Sequence, residues 1–319
     1  MKIKKILIVL LVAVILGIVY YCYNFPLGKP IRVTIEVIDD KGVPIENARI
    51  KGYFNNPSKH DDTGTHYDVL TNQSGLYKVL GVGYSFTECT IEKDGYYTSR
   101  YYLKLKQNDE FANKLTVVLK KIRNPVAMQV RQVEVIFPGL EEYYPFDLDL
   151  CDWVEPHGNG KKANIYIYYY RDAKGMFTGE WVLKMKTENP EEGFRKKDFD
   201  TYSKFKTIYQ APEIGYTNML EFISETTAKE VLINTKLKKN EYLIFKVQNS
   251  TNSAVYNYGK ICQPFLYGPD DNDRKKFKLW LTYYYNPTPG DRNLEFDPKQ
   301  NLITTVDRRG RDNSDRFDP

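Results

Sequence analysis

The sequence predicts an all-β fold: two β-sandwich domains in series behind an N-terminal transmembrane helix. Three observations predict it. Short runs of β-branched and aromatic residues recur along the body, alternate with polar residues at period two, and are bounded by Gly, Pro, Asn and Asp. Helical spacing shows in one stretch of the body, Asn218 to Ile233, and there only weakly. The chain opens on lysines followed by an unbroken apolar run.

That run, Ile6 to Val19 (ILIVLLVAVILGIV), has no charged or hydrogen-bonding side chain. Continued through Tyr23 it makes a helix about 27 Å long, close to the thickness of a bilayer's hydrocarbon core. Tyr20, Tyr21 and Tyr23 suit the headgroup interface, and Lys2, Lys4 and Lys5 favour an inside N-terminus with the body outside. Residues 1–25 are therefore expected to form an uncleaved single-pass signal-anchor, with the body extracytoplasmic, in the periplasm or at the cell surface. A signal-peptidase site needs small residues at the first and third positions before the cut, and Ile18 to Asn24 offers none. A lipoprotein reading would use Cys22, but Tyr21 stands where that signal carries a small residue. All three readings export the body.

The first module reads as a series of short strands: Ile31 to Ile38, Ala48 to Phe54, Tyr67 to Leu70, Tyr77 to Val82, Thr87 to Lys93, Tyr97 to Leu105 and Lys114 to Lys120. In the first of them Ile31, Val33, Ile35 and Val37 share one face. Asp40, Lys41 and Gly42 then reverse the chain, since glycine accepts the positive φ of a tight turn. The ordered segments VIDDKGVPIENARI, TNQSGLYKV, IEKDGYYTSRYY and LTVVLKK resemble a carboxypeptidase regulatory-like domain across residues 31–121. The resemblance implies a transthyretin-like (prealbumin-like) β-sandwich of about seven strands, an accessory domain without catalytic residues. Modules of related adhesins build a Lys–Asn isopeptide crosslink from a first-strand lysine. Here Ile31 to Ile38 holds Arg32 and no lysine, so none is expected.

Arg123, Asn124 and Pro125 interrupt the pattern, and the residue before a proline is pushed out of the helical region, which places a domain boundary there. The second module, residues 124–300, reads as another β-sandwich or jelly-roll-like domain. Its clear strands are Val126 to Phe137, Ala163 to Tyr170, Gly179 to Lys186, Glu241 to Gln248, Val255 to Leu266 and Lys275 to Tyr285. Between them, Asn218 to Ile233 admits a short helix, on a stripe of Leu220, Ile223, Ala228 and Val231, or a further strand. The phrases FDLDLCDWVEPHGNGK and NPTPGDRNLEFDPKQNL resemble secreted or anchored bacterial proteins that pair a regulatory-like sandwich with a second β domain, a resemblance that carries architecture and no chemistry. Residues 303–319 are charged and nearly free of apolar side chains, and are expected to be disordered.

Composition excludes several functions. With 42% hydrophobic and 14% aromatic residues the chain can fill real cores, so disorder throughout is excluded. The formal charge is +5, of which Lys2, Lys4 and Lys5 contribute three, leaving +2 on the rest. That balance, well mixed along the body, is no nucleic-acid footprint. Phosphate loops and dinucleotide fingerprints are absent. In the body Cys89, Cys151 and Cys262 leave one thiol over if any two pair, and none has CxxC spacing; a Cys151–Cys262 bridge is conceivable, and isolated buried cysteines are the commoner outcome.

No catalytic set stands out. The body has three histidines. His60 and His66 share a polar loop with Asp61 and Asp62, which reads as solvated rather than as a metal site, and His157 lies in the turn EPHGNGK. Asp147, Asp149, Asp152 and Glu155 are close enough in sequence to suggest paired carboxylates of a glycosidase, with Asp147 and Asp149 on one side of an alternating strand. Solvent exposure explains them equally. Asp270, Asp271 and Asp273 offer oxygen ligands for Ca²⁺ but lack the full loop pattern. No cofactor and no metal is expected. The aromatic rows are the candidate binding residues: Tyr166 and Tyr168 in IYIYYY and Trp280 in KKFKLWLTYYY present ring faces of the kind that stack on sugars. The expected function is non-enzymatic binding or structure in a bacterial envelope, with the membrane as one partner and a glycan or another envelope protein as the other. The alternatives are a divergent carbohydrate-active or peptide-processing hydrolase with its site in the second domain, and a ligand-free spacer. A cleft where carboxylates converge beside the aromatic rows would favour the enzyme; a flat sheet face would favour binding.

Overall fold

The Ile31-to-Val37 alternation does what its period dictates: all four side chains are buried at 6% exposure or less, between two sheets. The structure, a computed structural model, describes residues 14–17, 20, 29–54, 66–83, 86–104, 114–173, 179–199, 202–226, 231–233, 240–249, 252, 254–262, 266–269, 277–303 and 318–319. The described chain is all-β and divides into two compact units that part between Ile122 and Arg123, with the short segment Thr201–Lys204 grouped with the first.

The first unit has seven strands among its described residues: β1 (Lys29–Asp39), β2 (Arg49–Phe54), β3 (His66–Leu70), β4 (Leu76–Gly83), β5 (Phe86–Glu92), β6 (Ser99–Lys104) and β7 (Lys114–Leu119). They form a three-stranded sheet, β4-β1-β7, and a four-stranded one, β3-β2-β5-β6. β1 is antiparallel to β4 and parallel to β7. Ile50, Phe54, Cys89, Ile91 and Tyr101 from one sheet meet Val33, Ile35, Val37, Val79 and Val117 from the other. The sandwich implied by the resemblance is therefore what this unit forms. Its turns follow their sequence signals. The Asp39 carboxylate accepts the N–H groups of Lys41 and Val43, both at 2.8 Å, around Gly42 at φ 81°. Gly75 has φ 70°, and a Cβ there would lie 2.4 Å from the Val37 carbonyl oxygen, so both backbone conformation and space demand glycine.

The second unit continues with β8 (Val126–Ile136), β9 (Tyr143–Asp147), β10 (Asp152–Trp153), β11 (Ile165–Ala173), β12 (Gly179–Lys186), β13 (Gly193–Asp198), β14 (Met219–Thr226), β15 (Val231–Ile233), β16 (Glu241–Gln248), β17 (Tyr256–Ile261), β18 (Leu266–Pro269), β19 (Phe277–Asn286) and β20 (Phe296–Asn301). One sheet runs β10-β9-β11-β12-β14-β15, the other β13-β16-β17-β19-β8-β20 with β18 also on β19. Phe146, Ile165, Ile167, Tyr169, Leu183, Met185 and Phe222 of the first face Phe245, Leu279, Leu281, Tyr283 and Tyr285 of the second in one core. The outer side of the second sheet carries two further clusters, Met128, Val130, Tyr284 and Phe296, and Ala211, Tyr242, Ile244, Tyr258 and Leu294.

One open alternative is decided here, and two other expectations fall largely outside the described residues. Asn218 to Ile233 contributes strands: β14 pairs antiparallel with β12, and β15 with β14, so the helical option falls. The expected second β domain forms two sheets, of six and seven strands, that face each other across one core. For the anchor, residues 14–17 and Tyr20 are helical and exposed, and no helix among the described residues is long and apolar enough to cross a membrane; the rest of residues 1–25 lies outside them. The tail expectation likewise falls on residues 304–317, outside the described set.

Candidate functional site

Alternation on β11 sends Ile165, Ile167 and Tyr169 into the core and leaves Tyr166, Tyr168 and Tyr170 half-buried on the outer face of the six-stranded sheet. Cross-strand pairing then sets their company. Tyr168 stands opposite Tyr143 of β9 on one side and Lys184 of β12 on the other, and Lys184 opposite Glu221 of β14. One row along, Tyr166 lies between Pro145 and Lys186, and Lys186 between Tyr166 and Met219. The result is a sheet face of three tyrosine rings and two lysines across four strands.

The contacts within it are specific. The Tyr143 and Tyr168 rings sit 5.2 Å apart. The Lys186 ammonium lies 4.2 Å from the centre of the Tyr143 ring and 5.6 Å from that of Tyr166, and Lys184 lies 5.6 Å from that of Tyr168. Lys184 also pairs with Glu221 at 2.7 Å, which holds its ammonium above the usual lysine range. The Tyr166 hydroxyl donates to Glu188 at 3.4 Å, and that of Tyr143 reaches the Met219 sulfur at 3.9 Å. Partial burial raises the phenols of Tyr143 and Tyr166, so both remain neutral donors at physiological pH. Ring faces with neutral hydroxyls and a carboxylate–ammonium pair at the edge supply what a saccharide needs: a surface for its C–H face and partners for its hydroxyls.

Trp280 is elsewhere. It lies on the outer side of β19 in the other sheet, donates its indole N–H to Glu134 at 2.5 Å, and has the Lys278 ammonium 4.4 Å from its ring centre. Sequence reasoning grouped Trp280 with Tyr166 and Tyr168, but the fold does not bring them together. It missed Tyr143, Lys184 and Lys186, whose roles depend on strand order; the signal available was the outward parity of Lys184 and Lys186 in GEWVLKMK.

The carboxylates once read as a glycosidase pair organise turns. Asp147 ends β9 and is 3% exposed; its oxygens accept the N–H groups of Leu150, Lys161 and Lys162 at 3.0, 2.8 and 3.1 Å. Asp149 falls in the turn after the strand, not beside Asp147 on one face. Asp152 accepts from the Trp153 and Asn159 backbone and the Asn159 side chain. Burial works to raise its carboxyl, yet these bonds prevail and hold it below the usual carboxylate range, opposite to what a general acid needs. Glu155 pairs with Lys161, and His157 is an exposed turn residue whose ring meets Tyr144 edge-on.

In the first unit a concavity of about 470 Å³ lies over the outer face of β3-β2-β5, lined by Lys51, Tyr53, His66, Asp68, Glu88 and Thr90. Its charges are paired, Asp68 with Arg49 at 2.6 Å and Lys51 with Glu92 at 2.9 Å, and His66 packs its ring on Tyr53. His60, Asp61, Asp62, Asp270, Asp271 and Asp273 lie outside the described residues. Among the described residues no cluster of three or more His, Cys, Asp or Glu is placed to hold a metal. Cys89, Cys151 and Cys262 are free, and burial pushes the Cys89 thiol up to about 12, which makes it unreactive.

No family model matches this chain, and no curated protein is similar to it. Some solved structures match it in part. The 3-chlorocatechol 1,2-dioxygenase of Rhodococcus opacus 1CP aligns at TM-score 0.25 and 11% identity over 30% of this chain and 61% of its own. The shaft pilin SpaA of Lactobacillus rhamnosus GG aligns at 0.23 and 9% over 69% and 88%. BcpA, the major pilin subunit of Bacillus cereus, aligns at 0.24 and 11% over 77% and 74%. Scores of this size define no relationship, and the functional reading rests on the site.

Proposed function

We propose that this chain is a non-enzymatic binding protein of a bacterial envelope, tethered by residues 1–25, whose second β domain holds a saccharide on the tyrosine face of Tyr143, Tyr166 and Tyr168. In this reading the first unit is a carboxypeptidase regulatory-like accessory sandwich that positions the second. The observation that carries the proposal is the ordered outward row Tyr143–Tyr168–Lys184–Glu221, an aromatic and charged surface on a sheet face. Hydrophobic burial alone does not account for it, because these side chains point away from the core they flank. The hydrolase alternative draws nothing from the carboxylates that suggested it, since Asp147 and Asp152 are engaged by backbone N–H groups.

The test is a glycan array probed with the full chain in detergent micelles and with a variant carrying Tyr143→Ala and Tyr168→Ala. The proposal expects saccharide binding by the wild type and a loss of at least about tenfold in the variant, since each stacked ring is worth around 1 kcal/mol or more. Binding that survives both substitutions, or hydrolysis of a bound saccharide, overturns it.

A further inference from the structure

The two lysines of the tyrosine face differ. Lys184 is neutralised by Glu221 at 2.7 Å. Lys186, two residues along the same strand and on the same side, makes no ion pair among the described residues. Its cross-strand neighbours are Tyr166 and Met219, both uncharged, and its ammonium is held between the Tyr143 and Tyr166 rings at 4.2 and 5.6 Å. The nearest carboxylates on the face have other partners: Glu221 takes Lys184, and Glu188 accepts the Tyr166 hydroxyl. Ring faces attract the cation without neutralising it, so Lys186 is the positive charge of this face that its neighbours do not balance.

We infer that the saccharide on this face is acidic: a sugar ring stacked on Tyr143 and Tyr168 whose anionic substituent, a carboxylate or a phosphate, pairs with Lys186. This rests on the saccharide reading above and adds the class of ligand. A neutral sugar would be served by the rings and by the Lys184–Glu221 pair, and would leave the Lys186 ammonium beside it unmatched. An anion in that place meets a positioned cation whose ring partners cannot compete for its charge. The tyrosines then supply affinity, and Lys186 the discrimination.

The test titrates the full chain in neutral detergent micelles with polygalacturonate, with a phosphorylated mannan, and with the carboxyl-reduced, uncharged form of the first polymer. The expected result is at least tenfold tighter binding of one or both acidic polymers at low ionic strength, a preference that shrinks as salt is raised. Which acidic polymer binds identifies the substituent. Lys186→Gln is expected to abolish the preference, so that the variant binds the acidic polymers no more tightly than it binds the neutral one. Lys186 is partly exposed and not part of the core cluster, and an unchanged melting transition confirms that the variant folds. Equal binding of acidic and neutral polymers by the wild type, or a preference that survives Lys186→Gln, overturns the inference and leaves the saccharide reading standing. Failure to bind any of the three overturns both.

Discussion

Glu295 shows how single residues in this protein serve structure rather than chemistry. It is 1% exposed, and its carboxylate accepts the backbone N–H groups of Arg123 at 2.8 Å and Asn124 at 2.7 Å, fixing the first residues of the second unit. Glu295→Ala should lose about 2–4 kcal/mol of stability in urea unfolding, because two N–H groups lose a charged acceptor, and Glu295→Gln about half as much. Glu192 behaves differently. Burial raises its carboxyl above the ordinary glutamate value, against the pull of the Gln248 N–H, Lys162 and Lys246. A raised folded pKa means the folded state holds the proton more tightly than the unfolded chain, so the charged form costs stability above that pKa. The cost vanishes as pH falls toward the ordinary value of 4.5. Glu192→Gln should therefore be more stable than wild type at pH 7, with the difference closing towards pH 4.5 in paired denaturation curves. A difference that grows on acidification contradicts this account.

The elements differ in how plainly the sequence wrote them. Strands with one buried and one solvated face, such as β1, were legible because burial alternates as the residues do. β19 was legible for its inward Phe277, Leu279, Leu281 and Tyr283. β14 was not, because its outward side belongs to the partly apolar tyrosine face: Met219 and Ile223 lie outside while Leu220 and Phe222 face inward, which blurs period two into apparent helical spacing. β9 hid behind Pro145, which cannot donate to a ladder; it is tolerated because on that side its carbonyl accepts the Val154 N–H at 2.9 Å, beyond the last residue of β10. β13, with Arg195, Lys196, Lys197 and Asp198 in six residues, is a sheet edge blunted by charge. Of the candidate site, Tyr166 and Tyr168 were readable from their own alternation, whereas Tyr143 and Lys186 join them only through strand order. The β12–β14 register can be tested at Lys184 and Glu221. Reversing either charge alone should cost about 0.5–1 kcal/mol, and the double reversal Lys184→Glu with Glu221→Lys should recover most of it, since cross-strand pairs couple most strongly when directly opposed. Additive losses would place β14 in another register.

At the scale of the whole chain, the two units have separate cores, and the tyrosine face belongs to the second alone. The proposed tether, residues 1–25, predicts that the full chain stays with membranes through an alkaline wash and that removing those residues releases it. A mature N-terminus that begins after Tyr21 would instead mean processing. The most direct test of the central claim is saturation-transfer NMR on the full chain in micelles with a bound saccharide. Transfer from the protein to the C–H face of the sugar ring is expected, with strong attenuation in the Tyr143→Ala, Tyr168→Ala variant. Transfer of equal strength in wild type and variant would contradict the assignment of binding to this face.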